Sequence, residues 1–89
     1  MATFLVLRQV PGLTRDQYAA AQQAASEEAC RVTTGRVRLR GGFFVPGRGW
    51  AICIFCAESL ADVAAVNEGA GVPFAEILEA IELRPREQA

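Results

Sequence analysis

The stretch that decides the fold spans residues 48–82 and reads RGWAICIFCAESLADVAAVNEGAGVPFAEILEAIE. Residues 50–57 have the length of a strand and are apolar at odd and even positions alike, which is typical of a strand covered on both faces. Ser59 is suited to begin a helix, and the Gly- and Pro-containing residues 69–73 end it. Residues 77–83 return as a strand, so this order predicts one half of a split βαβ fold.

The first part of the chain predicts the other half of that fold. Residues 3–10 form an apolar run of strand length, which Pro11 ends. Thr14 and Gln17 have the spacing of a capping box, and Gly35 is suited to end the helix that they begin. The apolar positions of this helix recur at helical spacing and are mostly alanine, which allows close packing on a sheet: Tyr18, Ala21, Ala25, Ala29 and Val32.

A second strand is predicted at residues 36–45, and the turn at residues 46–49 connects it to the third. Strict alternation assigns its residues to two faces, with Val37, Leu39, Phe43 and Val45 on one and Arg36, Arg38, Arg40 and Phe44 on the other. Gly41 and Gly42 interrupt the alternation and predict a bulge or a close approach of the backbone.

The element order β-α-β-β-α-β predicts an α+β fold of the ferredoxin-like type, a four-stranded antiparallel sheet with two helices on one face. We expect one domain over residues 1–89, with a polar C-terminal tail at residues 84–89.

Apolar residues make up 52% of the chain, yet so short a chain buries only about 60% of its unfolded surface. Because the helices cover one face, the other face of the third strand requires a second subunit or a ligand. The sequence therefore predicts a homodimer.

Charge and composition exclude several classes of protein. The net charge of −1 argues against nucleic-acid binding, because a protein that binds phosphates needs a positive excess. All nine basic residues are arginine. The absence of histidine removes the commonest acid–base group and metal ligand, so we expect no metal and no cofactor. No apolar segment approaches the ~20 residues that cross a bilayer, which predicts no membrane association. Three cysteines, an odd number, favour a reducing, cytoplasmic location.

Cys53 and Cys56 form a C-x-x-C pair within the third strand. Their odd separation places the two thiols on opposite faces of a strand, which prevents both a disulfide and a shared metal. We therefore interpret both cysteines as structural, and Cys30 as structural or exposed on the first helix.

Candidate ligand-binding residues come from the polar and aromatic positions around the sheet. The arginines of the second strand would hold an anion, or would pair with acids such as Glu79 and Glu82, within the chain or across the dimer. The aromatic side chains would form core or line a small apolar cavity. The full candidate set is Tyr18, Arg38, Arg40, Phe44, Trp50, Cys56 and Asn67. These residues contain no recognisable set of nucleophile, base and orienting group, so catalytic residues stay unassigned.

The string CIFCAESLADVAAVNEGAGVPFAEILEA at residues 53–80 resembles a family of small bacterial proteins of unknown function, one branch of which is described as nickel-binding. The matching positions are Cys53, Phe55, Ala57, Asn67, Ala70, Gly71, Pro73, Ile77 and Glu79. The resemblance implies a ferredoxin-like fold that pairs into a dimeric α/β barrel. Two positions depart from the family pattern, since Cys56 replaces a usual glutamate and Asn67 replaces a histidine of some members.

Three functions are consistent with these patterns. The first is a small homodimeric accessory protein that binds a small hydrophobic or anionic ligand. The second is a cofactor-free enzyme of isomerase, cyclase or monooxygenase type in bacterial secondary metabolism, which would use groups such as Tyr18, Arg38 or Cys56. The third is a nickel-binding protein, whose ligands would have to be Cys and Glu because histidine is absent.

Overall fold

A computed structural model describes residues 1–86, and these form four strands and two helices in the predicted order. The elements are β1 Ala2–Gln9, α1 Arg15–Thr33, β2 Arg38–Val45, β3 Trp50–Ala57, α2 Leu60–Gly69 and β4 Glu76–Ala80. Neither helix in this part of the chain has the length and apolar content needed to cross a membrane.

The strands form one antiparallel sheet in the order β2-β3-β1-β4, which is the ferredoxin-like arrangement. Both helices pack on one face of this sheet, which we call the inner face. Its core side chains alternate along the two central strands, where Phe4 pairs with Phe55 and Val6 with Cys53. From the helices, small and β-branched residues complete the core: Ala25, Ala29, Val63 and Val66.

Helix α1 begins as predicted, because Thr14 and Gln17 form a reciprocal capping box. Its predicted buried face is wrong at the last turn, where Val32 is exposed and Thr33 is buried instead. The Thr33 hydroxyl donates to the carbonyl oxygen of Ala29 (2.6 Å) and accepts from the N–H of Val37 (3.0 Å). This contact holds the segment between α1 and β2 in a turn, which is why β2 starts at Arg38 rather than at residue 36.

Helix α2 begins at the predicted Ser59 cap, whose side chain accepts from the N–H of Asp62 (3.2 Å). The apolar residues of this helix predict a buried face of Leu60, Val63, Ala64 and Ala70, and this prediction is only partly right. Val63 is buried, but Leu60 is 46% exposed, and the buried positions include Asn67. A pattern of apolar residues at helical spacing does not include Asn67, because this fully buried residue is polar.

A β-bulge in β2 changes which side chains face the helices. The register shifts between Leu39 and Gly41, so Arg40 is the extra residue. The bulge predicted from the glycine pair is confirmed. Its effect on the faces was not anticipated: Leu39 pairs with inner Phe55, whereas Phe43 pairs with Ile52 on the opposite face. The prediction that Leu39 and Phe43 share a face is therefore wrong.

The C-terminal segment leaves the sheet earlier than the sequence suggests. The predicted strand at residues 77–83 is observed as β4, which ends at Ala80. Ile81 and Leu83 follow outside the sheet and are 83% and 86% exposed. Of the predicted polar tail, residues 84–86 are exposed, and residues 87–89 lie outside the described part of the chain.

Candidate functional site

The face of the sheet that the helices leave uncovered, here called the outer face, is strongly apolar. Strand pairing assigns to it the apolar residues Leu5, Leu7, Phe43, Val45, Trp50, Ile52, Ile54, Cys56, Leu78 and Ala80, together with the polar residues Thr3, Gln9, Arg38 and Glu76. Phe43 is 65% exposed and Trp50 48%. The odd-numbered residues of β3 are buried against the core, whereas its even-numbered residues lie on the outer face. The prediction that β3 is apolar on both faces is thus confirmed, and only one of those faces is covered in the monomer.

A cleft of about 430 Å³ lies on this outer face, and we call it the outer cleft. It is lined by Thr3, Leu5, Arg40, Phe43, Ile54, Ala80, Ile81 and Glu82. Arg40 and Glu82 are its two charged residues, with Arg40 Nη2 3.5 Å from Glu82 Oε1. Arg84 Nε approaches the other oxygen of Glu82 at 2.6 Å. The expected pairing of a β2 arginine with Glu82 therefore occurs within one chain.

The predicted row of arginines on β2 is wrong. Arg36 precedes the strand, and its Nε donates to the carbonyl oxygen of Thr33 (3.2 Å). Arg38 lies opposite Cys56 on the outer face, whereas Arg40 occupies the bulge. Because an extra residue breaks the two-residue period, these side chains do not form one clamp, and Arg40 alone of the three lines the outer cleft.

On the inner face, Arg8 is buried, with 2% of its surface exposed. Its guanidinium donates to Asn67 Oδ1 and to the carbonyl oxygens of Pro73 (2.9 Å) and Val72 (3.5 Å). No carboxylate within residues 1–86 lies at ion-pair distance from it, and its Nε has no hydrogen-bond partner there. The carbonyl oxygens of Val72 and Pro73, in the turn after α2, offset the positive charge of Arg8 instead. They act as the partial negative charge at the C-terminal end of a helix does.

Sequence reasoning missed Arg8, although a signal was present. The residue shares its parity with Phe4 and Val6, the buried positions of β1. A charged residue in phase with a core face indicates a buried polar contact, because an unpartnered buried charge is costly.

Asn67 proves to be a structural partner of Arg8 rather than an exposed position on α2. Its side chain is fully buried, and its Nδ2 donates to the carbonyl oxygen of Val63 (2.8 Å) while its Oδ1 accepts from Arg8. We call Arg8, Asn67 and the carbonyl groups of residues 72–73 the inner network.

Tyr18 belongs to α1 and is buried between this helix and the sheet. The hydroxyl donates to the carbonyl oxygen of Ile52 (3.3 Å) and lies 3.4 Å from Cys53 Sγ, while the ring stacks on Phe44 at a centroid distance of 5.8 Å. Burial and the contact with Cys53 raise the pKa of Tyr18 well above its usual value of 10.0, although the charge of Arg8 opposes this. The phenol therefore stays neutral even at alkaline pH where a free tyrosine ionises, and it is not poised as a base.

The raised pKa of Tyr18 predicts a loss of stability in alkali. Between the unfolded pKa near 10.0 and the higher folded pKa, the unfolded chain releases a proton that the folded chain keeps. The free energy of unfolding should therefore be unaffected below pH 10.0 and fall by up to about 1.4 kcal/mol per pH unit above it. Urea unfolding at about pH 8 and about pH 11, with Tyr18→Phe as the control, measures this difference.

Absorbance provides a direct check on the same residue, because the chain has one tyrosine. Tyrosinate formation in the folded protein should begin well above pH 10.0. A titration midpoint at the ordinary tyrosine value, in a sample that circular dichroism shows to be folded, would contradict the assignment.

The sheet separates the candidate residues into groups that do not meet. Tyr18, Phe44 and Asn67 lie on the inner side, and Arg38, Trp50 and Cys56 on the outer face. Arg40 lines the outer cleft, whereas Trp50 lies at the end of β3 with the Arg48 guanidinium 5.8 Å from its ring centre. Within one protomer, the predicted set is therefore not one site.

The described part of the chain contains no cluster of side chains that could bind a metal ion. Cys53 is buried on the inner face and Cys56 is half-buried on the outer face, which confirms that the two thiols of the C-x-x-C pair lie on opposite faces of β3. No three Cys, Asp or Glu residues within residues 1–86 are grouped closely enough to hold an ion, and the chain has no histidine.

Comparison with known proteins places this arrangement in a family. A crystal structure of SCO4226 from Streptomyces coelicolor A3(2) is similar, with a TM-score of 0.77 and 27% sequence identity over 93% of this chain and 100% of that one. No curated protein matches the chain significantly. Residues 4–80 match the sequence model of a family described as "Nickel responsive protein SCO4226-like". The chain therefore belongs to the SCO4226-like family.

Proposed function

We propose that this protein is a homodimer in which the outer faces of two copies pack together around a cavity for a small apolar or anionic molecule. The observation that carries the proposal is the apolar outer face, where Leu5, Leu7, Ile52 and Ile54 continue across the two central strands and no helix or strand of residues 1–86 covers them. Contiguous apolar surface of this kind marks an interface or a binding site.

The dimensions of the outer face suit self-association. Four strands ~4.8 Å apart and up to eight residues long give a face on the order of 500 Å². The exposed side chains of Ile81 and Leu83 add apolar area beside it. Together they approach the roughly 800 Å² that each partner buries in a standard interface. At about 25 cal/mol per Å², leaving this area in water would be costly for so small a domain.

The enzyme hypothesis receives less support from the geometry. It needs polar groups that converge on one cavity. Tyr18 is buried on the inner side with a raised pKa, whereas Arg38 and Cys56 lie on the outer face. These three residues therefore do not combine into one reaction centre within a protomer.

The family name mentions nickel, but the potential ligand atoms within residues 1–86 of one protomer are not grouped as a nickel site requires. A nickel site needs several nitrogen, sulfur or oxygen ligands at one point. Asn67, at the position where some relatives carry histidine, is already bonded to Arg8 and Val63. We therefore assign no nickel-dependent step to this chain.

A charge placed in the centre of the outer face should prevent dimerisation. Ile54→Arg would bury two guanidinium groups against apolar surface in the dimer, but it would leave the monomer core untouched because Ile54 lies outside that core. We expect the wild type at twice the 9.6 kDa chain mass and Ile54→Arg at the single mass by native mass spectrometry and light scattering.

Ala20→Arg is the matched control, since this residue is exposed on α1 and away from the outer face. It should remain dimeric, and circular dichroism should show all three proteins folded. A wild type that stays monomeric at high concentration, or a folded Ile54→Arg that stays dimeric, would overturn the proposed arrangement.

A further inference from the structure

We propose that the ligand of the outer cleft is a carboxylic acid with an apolar tail, that Arg40 binds its carboxylate, and that Glu82 is an internal competitor for Arg40. This inference rests on the proposed function, because it identifies the chemistry of the molecule that the outer face encloses. Three features of the outer cleft support it: its apolar lining, its surplus of positive charge, and the weak pairing of Arg40.

The lining of the outer cleft favours a hydrocarbon tail. Leu5, Phe43 and Ile54 lie on the sheet, and Ile81 contributes from the segment after β4. The volume of about 430 Å³ falls within the roughly 300–1,000 Å³ range of small-molecule sites. Since the charged groups are confined to Arg40 and Glu82, the lining has one apolar part and one polar part. An amphipathic molecule matches that division.

The charges at the outer cleft leave room for one more anion. Among residues 1–86, two arginines, Arg40 and Arg84, meet a single carboxylate, Glu82, so these three side chains carry an excess of one positive charge. Both arginines lower the pKa of Glu82, Arg84 more strongly than Arg40, which keeps this carboxylate charged. A ligand carboxylate would balance the remaining charge.

Arg40 is the member of this cluster with unused binding capacity. Its contact with Glu82 is one nitrogen at 3.5 Å, whereas Arg84 approaches Glu82 at 2.6 Å. A guanidinium can bind a carboxylate through two parallel hydrogen bonds, so as far as residues 1–86 are concerned the single long contact leaves most of its donors available to another acceptor. The bulge holds Arg40 on a strand, which positions it more rigidly than a loop would.

Glu82 would move aside at little cost. It follows β4 in a segment outside the sheet, and its side chain is 45% exposed. When a ligand carboxylate displaces it from Arg40, its shorter contact with Arg84 is retained. Binding therefore exchanges a weak internal pair for a stronger one with the ligand, and no charge is left without a partner.

The test compares decanoate with 1-decanol, which has the same tail length without the charge. Each is titrated against the dimer of the wild type and of each variant carrying the fluorescent probe anilinonaphthalene sulfonate. Because the probe is itself an apolar anion, its own affinity for each variant is measured first, and displacement then gives the affinity of the competing compound. We expect Arg40→Gln to weaken decanoate binding roughly fivefold and to leave decanol unchanged. Glu82→Gln should strengthen decanoate binding, because it removes the competitor. Arg15→Gln, an equal charge change on exposed α1, should alter neither affinity.

The outcomes separate this inference from the proposed function. If both compounds bind and Arg40→Gln leaves decanoate affinity intact, the apolar cavity stands and the role of Arg40 is refuted. Weaker decanoate binding in Glu82→Gln would refute internal competition. If neither compound displaces the probe, or the probe does not bind, the cavity and the inference both fail.

Discussion

Replacement of Arg8 by methionine should lower the free energy of unfolding by about 3 kcal/mol. The methionine would fill much of the space but would leave Asn67 Oδ1 and the carbonyl oxygens of Val72 and Pro73 without their donor. Arg8 is 2% exposed, so water cannot readily take its place. In a domain whose total stability is of the order of 5–15 kcal/mol, such a loss is large.

Urea unfolding of Arg8→Met beside Arg15→Met measures this effect with a matched control. Arg15 undergoes the same chemical change but is exposed at the start of α1, so its variant should unfold like the wild type. Adding Asn67→Ala completes a double-mutant cycle, and the two changes should be clearly non-additive because their side chains are bonded. Equal urea midpoints for Arg8→Met and the wild type would refute the structural role of the inner network.

Gly42→Ala should destabilise the fold by about 3 kcal/mol, a value at the upper end for added bulk in a packed core. A Cβ at this position would collide with the backbone carbonyl oxygen of Ile52 and with the Tyr18 hydroxyl, and it would lie 3.1 Å from Cys53 Cα. Two of these atoms belong to the neighbouring strand, so a rotamer change alone cannot relieve the contact. The strand pair or α1 would have to move.

Gly69→Ala adds the same methyl group, but we expect it to leave the stability unchanged or to raise it. Gly69 ends α2, and its added Cβ would meet only the carboxylate end of the Glu28 side chain, which can rotate away. Alanine also favours a helix over glycine by about 1 kcal/mol. We expect the Tm of Gly69→Ala to be unchanged or raised and that of Gly42→Ala to fall by many degrees. The same Tm for both variants would contradict the close packing of β2 against β3.

The order of the elements was predictable because each is encoded by local chemistry. The capping box at Thr14 and the cap at Ser59 act over a few residues, and both are present in the structure. The residues of β3 are apolar at odd and even positions alike, which indicated that both faces of this strand are covered. The Gly41–Gly42 pair indicated the bulge. These signals need no knowledge of distant parts of the chain.

The site was harder to predict because its contacts join distant residues. Arg8 meets Asn67 across 59 positions, and no local pattern relates them. The bulge reversed the expected face of Phe43, since one extra residue moves every following side chain to the other side of the sheet. Ile81 and Leu83 alternate as a strand would, yet they lie outside the sheet because β4 pairs with β1 only as far as Ala80.

The central position of β1 has a consequence for how the protein is made. This strand is synthesised before both of its neighbours, because β3 and β4 come from residues 50–57 and 76–80. In a nascent chain, the apolar residues 2–9 therefore lack both strand partners until those later residues have left the ribosome. Folding must await long-range strand pairing, which is intrinsically slow and exposes the segment to aggregation.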